Sequence, residues 1–263
     1  MTHRTSGAVR AAFDGARAEG RALLVGYLPA GFPSVDGGIA AARAMVEGGV
    51  DVVEIGLPYS DPVMDGPVIQ QASQIALEGG ATPVSILDEA RSLDVHIPLA
   101  VMTYYNTIHH AGHERFAHQL IAAGVVAALV PDLPLEESGP WCAAADDAGI
   151  ETVMFAAPTA PDERLPRIAA RARGFVYSVG LLGVTGERDQ LASTAASLAR
   201  RLKAITDMPV LIGVGVSNAA QARQAVQVAD GVVMGASVIK RMLDGGPDAA
   251  GDYIAEVRAA IDE

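Results

Sequence analysis

Short apolar runs alternate with amphipathic stretches along almost the whole chain. The apolar runs are rich in Val, Ile and Leu and contain few polar residues, which is typical of parallel strands that are buried on both faces. The stretches between them repeat their apolar positions with helical spacing, which predicts helices that pack one face against a sheet. The predicted strands are residues 22–28, 52–57, 98–102, 125–130, 152–155, 175–178, 209–212 and 231–234.

A predicted helix follows every one of these strands, and one more helix precedes the first strand. This arrangement predicts an α/β fold, a (β/α)8 or TIM barrel with an extra N-terminal helix. A doubly wound sheet would carry a glycine fingerprint after the first strand, where this chain has Pro29-Ala-Gly-Phe-Pro33 instead. Because no linker interrupts the alternation, we expect one domain over residues 1–263. The predicted helices are residues 8–19, 39–47, 85–93, 114–123, 137–148, 164–171, 195–205, 219–226 and 248–261.

The composition restricts the classes of partner. Half of the residues are hydrophobic, and the net charge is −12. This charge argues against binding to nucleic acid or to an anionic membrane, whereas backbone amides can still hold a phosphorylated substrate. No apolar run has the length of a membrane span or the character of a signal core. The single cysteine, Cys142, allows no internal disulfide and is predicted to be packed and inert, so we expect a cytoplasmic protein.

One ionisable residue, Glu54, interrupts the apolar run of the second strand. A carboxylate inside a buried strand is costly unless it is paired or protonated, so Glu54 is a candidate for proton transfer. The following loop holds two more acids, Asp61 and Asp65, and three prolines stiffen it. The alternatives are a buried ion pair for Glu54, a turn position for Asp61 and a helix N-terminus for Asp65. Only Arg188 lies near a predicted strand end, which weakens the ion-pair alternative.

Glycines mark the ends of the last two predicted strands. Gly213 and Gly215 follow strand seven, and Gly235 follows strand eight. TIM barrels commonly bind phosphate at this place, because a backbone without side chains brings amides close to an anion at a helix N-terminus. The alternative is that the glycines only permit tight turns. Their presence after both strands favours a phosphate site.

Three connections at the carboxyl ends of the predicted strands are long, namely residues 58–67, 104–112 and 179–190. Catalytic residues of a TIM barrel lie on such connections. The last connection contains three glycines and has no strong secondary-structure pattern. It is therefore compatible with a mobile lid and with an ordinary surface loop.

Other reactive side chains are less suitable for catalysis. Both lysines fall in helical segments rather than at strand ends, so a Schiff-base mechanism lacks its nucleophile. His109, His110 and His113 match no compact zinc pattern, and we expect them in a solvated loop rather than in a metal site. Acid–base chemistry by carboxylates remains. Tyr177, which ends strand six, either packs in the core or holds a polar substrate atom with its hydroxyl.

Several motifs resemble those of the tryptophan synthase α subunit, in the same order and from about Tyr27 to Lys240. From the first to the last, these matches span nearly the whole chain. The motifs are Glu54-Ile-Gly-Leu-Pro-Tyr-Ser-Asp-Pro, Asp65-Gly-Pro67, Met102-Thr-Tyr-Tyr-Asn106, Pro131-Asp-Leu-Pro134, Gly183-Val-Thr-Gly186 and Gly213-Val-Gly215-Val-Ser217.

The resemblance implies a lyase of tryptophan biosynthesis that cleaves indole-3-glycerol phosphate to indole and glyceraldehyde 3-phosphate, without a cofactor or a metal. It implies that Glu54 is the general acid–base. Asp65 would accept the indole N–H and stabilise the positive charge that develops on the ring, and Tyr177 would position these groups. This chemistry agrees with the analysis of the residues, because a carboxyl group with a raised pKa can protonate carbon near neutral pH.

The resemblance also implies binding residues and a partner. The residues expected to hold the indole ring are Tyr27, Met102, Tyr104 and Leu129. The residues expected to contact phosphate through their backbone are Gly186, Gly215, Gly235 and Ala236. Thr185 would couple closure of the lid to Asp65. Asp61 and its loop would face a β subunit that receives indole, within an α2β2 complex.

Some positions depart from the commoner family pattern. Phe32 stands where many members have aspartate, so their polar contact after the first strand is not carried over. Ala236 replaces a frequent serine, which removes a hydroxyl bond to phosphate and keeps the amide. Leu181 and Leu182 replace more polar residues of the lid, so lid kinetics are not carried over either.

Two alternatives to this function remain open from the sequence. The first is another phosphate-binding barrel, such as an indole-glycerol-phosphate synthase-like or isomerase-like enzyme; the synthase would need catalytic lysines, which are missing. The second is a catalytically silent subunit that only activates a partner. The presence of both Glu54 and Asp65 argues against the second alternative, and a cleavage assay on the single chain decides it.

Overall fold

The computed structural model describes residues 7–180, 193–213 and 215–263. Parallel strands close into a barrel in sequence order, and β8 pairs with β1. The strands are β1 (Leu23–Pro29), β2 (Val52–Gly56), β3 (Leu99–Met102), β4 (Val125–Leu129), β5 (Glu151–Ala156), β6 (Val176–Ser178), β7 (Val210–Ile212) and β8 (Gly231–Met234). The predicted TIM barrel and each of its predicted strands are confirmed.

The helices follow the strands around the outside of the barrel. They are α1 (Ala8–Ala18), α2 (Val35–Glu47), α3 (Pro67–Glu78), α4 (Pro83–Ser92), α5 (Tyr105–Ala111), α6 (His113–Ala122), α7 (Gly139–Ala148), α8 (Leu165–Arg171), α9 (Ser193–Lys203), α10 (Ala219–Val226) and α11 (Ala236–Asp262). The predicted N-terminal helix is α1. Gly246 has a non-helical φ of 77°, so α11 consists of two helices joined across a kink. Of the described helices, none has the length and apolar character needed to cross a membrane.

Two helices, α3 and α5, are not among the predicted helices, although a helix N-terminus at Asp65 was one alternative. Helix α3 begins at Pro67, whose fixed φ suits the first turn of a helix. Helix α5 has seven residues, too few for an apolar spacing to be recognised. The expected solvated loop at residues 104–112 is therefore wrong, because His109 and His110 are exposed residues of α5. His113 is the first residue of α6.

Helix α1 covers the N-terminal end of the barrel. Its residues Val9 and Phe13 are buried, and it packs against β1 and β4. The carboxylate of Glu151, at the start of β5, accepts the N–H of Val9 at 2.8 Å and that of Arg10 at 3.1 Å. These bonds satisfy amides that have no partner within the helix, and the carboxylate favours the positive end of the helix dipole. Helix α1 therefore does not cover the carboxyl ends of the strands, where TIM barrels have their catalytic sites.

The register of the strands determines which candidate residues become neighbours. Tyr27 of β1 pairs with Glu54 of β2, and Tyr177 of β6 pairs with Phe155 of β5. Met102 of β3 pairs with Leu129 of β4. These positions are far apart in the chain, and barrel closure brings them to adjacent strands.

Candidate active site

Glu54 lies in the middle of β2 and is fully buried, at 0% exposure. Among the residues that the structure describes, neither carboxylate oxygen has a hydrogen-bond partner. Burial raises the pKa of Glu54 to about 8, since water no longer stabilises the charged form. The ion-pair alternative finds no support in the described part of the chain. Arg188 lies outside the described residues.

Two buried tyrosines approach the barrel interior around Glu54. The Tyr27 hydroxyl lies so close to Gly56 that a Cβ there would overlap it, and the Tyr177 hydroxyl lies equally close to Gly213. These glycines are therefore needed because side chains occupy the space beside them. Burial raises the pKa of both phenols, and the charge of Glu54 contributes a smaller rise to each. Both hydroxyls thus lie within the electrostatic influence of the Glu54 carboxyl.

Asp65 lies on the connection between β2 and α3 and is half-buried. Burial raises its pKa, and a hydrogen-bonding contact with the Tyr104 hydroxyl offsets part of this rise. The same hydroxyl accepts the N–H of Met64 at 2.9 Å. The Tyr104 ring stacks on Tyr59, with 4.9 Å between the ring centroids. Tyr104 therefore holds the loop that carries Asp65, a role that the sequence does not reveal.

Asp65 and Glu54 act on a common neighbour. After burial, the next largest cause of the raised Tyr27 pKa is the charge of Asp65, followed by the charge of Glu54. Coulombic effects of this kind require short distances inside a protein, so both carboxyl groups lie near Tyr27. Tyr27 is thus a common neighbour of the two acids that the sequence singled out.

The predicted apolar residues line neighbouring strands. Met102 and Leu129 are paired across β3 and β4, and Leu129 is fully buried. Phe155 of β5 stacks on Tyr177, with 5.0 Å between the ring centroids. Phe155 was not among the predicted site residues. Its position at the end of the fifth predicted strand was a usable signal, since TIM-barrel sites lie at strand ends.

The glycines after β7 and β8 lie where the sequence predicts a phosphate site. Gly215 adopts a φ of 86°, which a residue with a side chain rarely adopts. Gly235 is the residue before α11, and a Cβ there would lie 3.3 Å from the Tyr27 ring. The first helical bond at this end runs from the Ile239 N–H to the Gly235 carbonyl. The preceding amides therefore have no carbonyl partner within the helix, and Ala236 is exposed beside them.

Several expected residues lie elsewhere or outside the described part. The structure does not describe residues 181–192, which include Thr185 and Gly186. They also include Leu181 and Leu182, the two positions that depart from the family pattern. Asp61 is exposed at the surface, where it accepts a hydrogen bond from Ser60 Oγ at 2.6 Å.

Two other sequence positions take up ordinary structural roles. Phe32, which stands in place of the family's frequent aspartate, is packed in the core at 1% exposure. Cys142 is buried on α7, as predicted.

An apolar cavity of about 320 Å³ lies beside the candidate site, between β4, β5, α7 and α8. Met64, Phe155 and Cys142 are part of its lining, and neither Glu54 nor Tyr177 is. The cavity therefore contains neither Glu54 nor Asp65, and only Met64, the neighbour of Asp65 in the chain, connects it with them. Among the residues described, no group of three or more His, Cys, Asp and Glu side chains has an arrangement that could hold a metal ion.

A closed parallel barrel is the fold of TIM-barrel enzymes, and the buried acid in its second strand is a candidate acid–base residue. A family model described as "Tryptophan synthase alpha chain" matches residues 13–259. The chain belongs to the tryptophan synthase α-chain family, whose members are carbon–carbon lyases of tryptophan biosynthesis that cleave indole-3-glycerol phosphate and pair with a β subunit.

Curated relatives and solved structures agree with this assignment. The chain is 50% identical to the tryptophan synthase alpha chain of Streptomyces coelicolor over 238 residues, covering 90% of this chain and 88% of the relative. It is 47% identical to that of Thermobifida fusca over 256 residues, covering 94% of each. A structure of Mycobacterium tuberculosis tryptophan synthase superposes with a TM-score of 0.91 at 38% identity, covering 98% of this chain and 99% of that one.

Proposed function

We propose that Glu54 is the general acid–base of indole-3-glycerol phosphate cleavage and that Asp65 stabilises the charge that develops on the indole ring. The observation that carries this proposal is the buried Glu54 carboxyl, which has a pKa of about 8 and no partner among the described residues. A carboxyl group in this state is largely protonated at neutral pH. It is therefore ready to donate its proton.

The reaction divides into two proton movements. Glu54 first donates its proton to C3 of the indole, and the ring nitrogen takes up the positive charge. The resulting Glu54 carboxylate then removes the proton from the glycerol hydroxyl next to the ring. As the carbonyl of glyceraldehyde 3-phosphate forms, the bond to C3 breaks and its electron pair returns to the ring, which leaves as indole. Glu54 regains its proton in this step, so one residue serves both as acid and as base.

Asp65 is suited to the opposite charge state. The Tyr104 hydroxyl offsets part of the rise that burial causes in the Asp65 pKa, which favours the carboxylate. A carboxylate accepts the indole N–H and stabilises the cationic ring in the transition state. Two acids with different environments thereby take different roles, as acid–base catalysis requires.

The remaining residues bind the substrate. Tyr27, Met102, Tyr104 and Leu129 form the proposed indole site, and Tyr177 positions the reacting groups against Glu54. Gly215, Gly235 and Ala236 offer amides to the phosphate, together with Gly186. Thr185 couples the lid to Asp65. Support comes from the strand register, from the aromatic rings near Glu54 and from the free amides at the start of α11.

The proposal extends to the assembly. Asp61 lies on an exposed loop beside Val63, whose exposure of 76% is unusual for an apolar side chain. This loop is the proposed contact with the β subunit in an α2β2 complex. We also propose one domain over residues 1–263, because the last helix, α11, packs on α2 and β1 from the first part of the chain. A biosynthetic family and a single free cysteine support a cytoplasmic location.

The test is indole release from indole-3-glycerol phosphate by the purified chain, with and without the β subunit. The proposal expects release by the chain alone and loss of release in Glu54→Gln with the fold retained. Release only in the presence of the β subunit, unchanged by Glu54→Gln, would instead support a catalytically silent subunit. Full activity of Glu54→Gln would also refute the assigned role.

A further inference from the structure

A side chain outside the glycine motifs connects the two parts of the proposed phosphate site. Tyr253 lies in the part of α11 that follows the kink and is 3% exposed. Its hydroxyl donates a hydrogen bond to the Ser217 carbonyl at 3.0 Å. Ser217 lies on the connection that follows β7, two residues after Gly215. A buried residue from the last helix therefore contacts the loop that carries one of the proposed phosphate-binding amides.

The peptide groups of Ser217 are held from two sides. The Ser217 N–H donates to the Gln221 side-chain oxygen at 2.7 Å, and the Gln221 N–H donates to the side-chain oxygen of Asn218 at 2.9 Å. Gln221 belongs to α10 and is 1% exposed. The loop is thus tied to α10 through Gln221 and to α11 through Tyr253. Loss of the Tyr253 hydroxyl would leave the carbonyl side of this loop without its bond.

Tyr253 is also in contact with the part of α11 that precedes the kink. The Arg241 guanidinium lies 5.0 Å from the centroid of the Tyr253 ring, which is a cation–π distance. Burial raises the pKa of Tyr253, and the nearby Ser237 hydroxyl offsets part of this rise. The buried Ser237 Oγ has no hydrogen bond of acceptable geometry with a described residue, so the two hydroxyls approach without good alignment. Ser237 is in the first turn of α11.

The kink at Gly246 gives these contacts their importance. A continuous helix would by itself fix the distance between its N-terminus and Tyr253, but Gly246 interrupts the helical backbone. The relative position of the first turn of α11 and the loop after β7 therefore depends on side-chain contacts in addition to the pairing of β7 with β8. Tyr253 makes contacts with both.

We infer that Tyr253 is a positioning residue that holds the Gly215 amide and the N-terminus of α11 at the spacing needed to bind one phosphate group. This inference rests on the proposed function and adds to it a residue that touches no substrate. Two sets of amides bind one anion well only when both lie at hydrogen-bonding distance from it. A shift of the loop lengthens one set of these bonds and weakens phosphate binding without moving Glu54.

The test is Tyr253→Phe, which keeps the ring on Arg241 and removes only the hydroxyl. Calorimetry would measure the affinity for inorganic phosphate and for glycerol 3-phosphate, and separately for indole, which carries no phosphate. We expect the affinity for both phosphates to fall by about tenfold, as for one lost hydrogen bond, and that for indole to stay the same. The KM for indole-3-glycerol phosphate should rise by a similar factor while kcat changes little.

Tyr105→Phe is the matched control, because it removes a hydroxyl whose hydrogen-bond partner among the described residues is His113, at 3.0 Å, on the opposite part of the barrel wall. It should leave the affinity for phosphate and for indole unchanged. Wild-type phosphate affinity in Tyr253→Phe overturns the inference. An equal loss of phosphate and indole binding also overturns it, because the residue would then serve the whole fold. Phosphate binding by a wild-type chain that releases no indole refutes the proposed reaction alone.

Discussion

Tyr27 of β1 pairs in register with Glu54 of β2, and the charge of the Glu54 carboxyl contributes to the raised pKa of the buried Tyr27 phenol. The two groups therefore lie in one water-poor environment, in which an ionised carboxylate is poorly stabilised. This relationship explains why Glu54 holds its proton at neutral pH. It also connects the interior of the barrel with Asp65, whose charge affects the same phenol.

Glu54→Gln should separate the chemistry from the fold. The amide has the shape of the carboxylic acid and cannot transfer a proton, so we expect kcat to fall by about 10³-fold or more. The variant should be at least as stable as wild type at pH 7, because Glu54 has no described hydrogen bond to lose and glutamine does not ionise in the unfolded chain. Steady-state kinetics and urea denaturation measure these two quantities. A kcat within about tenfold of wild type contradicts the assignment of Glu54.

The pH dependence of stability should report the raised pKa of Glu54. A glutamate titrates at 4.5 in the unfolded chain and at about 8 in the folded protein. Between these values the folded state keeps a proton that the unfolded state has lost. The contribution is therefore complete below pH 4.5 and is lost as the pH rises through about 8. The slope for this one group is at most about 1.4 kcal/mol per pH unit.

The measurement is the free energy of unfolding of wild type and Glu54→Gln between pH 5 and pH 8. The difference between the two proteins isolates Glu54, because Glu89, whose pKa burial raises to about 7, contributes equally to both. We expect the wild type to lose more stability than the variant as the pH rises. Parallel curves for the two proteins would show that the Glu54 pKa is not raised by folding.

Tyr104→Phe should raise the pKa of Asp65, although Asp65 itself is not substituted. The substitution removes the hydroxyl that accepts the Met64 N–H and offsets the rise in the Asp65 pKa. The Asp65 pKa should then rise further, so the acidic limb of the kcat/KM profile should move to higher pH. A stability loss of about 1 kcal/mol is expected from the lost hydrogen bond. A pH–rate profile of the variant measures the shift, and an unchanged acidic limb would argue that Tyr104 only packs.

Gly213→Ala should displace Tyr177. A Cβ at Gly213 would overlap the Tyr177 hydroxyl, and the Tyr177 ring is buried and stacked on Phe155. We expect a stability loss of about 1–3 kcal/mol together with a lower kcat. Adding Tyr177→Phe to Gly213→Ala removes the nearest of the overlapping atoms and should recover part of the stability, which a double-mutant cycle measures.

Gly139→Ala is the control for that cycle, because no atom lies within 4 Å of the position a Cβ would take there. It should leave stability and activity close to those of wild type. If the loss of unfolding free energy in the double variant equals the sum of the losses in the two single variants, the Tyr177 hydroxyl is not the source of the strain.

Local patterns were sufficient to predict most of the framework. The eight strands were visible because strands buried on both faces are continuously apolar, and Glu54 was visible as the one charge in such a run. Helix α5 was missed because seven residues carry too little periodicity, and a short helix is stabilised mainly by its contacts.

The sequence by itself determined the barrel, the acid in its second strand and the family motifs, since each depends on residues that are close in the chain. Only the tertiary structure decided that Tyr104 supports the Asp65 loop, through a hydrogen bond with Met64, 40 positions away in the chain. Only the tertiary structure likewise decided that Tyr253 supports the loop after β7, through a hydrogen bond with Ser217, 36 positions away. The physical reason is that a single hydrogen bond leaves no periodic pattern in the sequence. Its two partners meet only after apolar burial has closed the barrel.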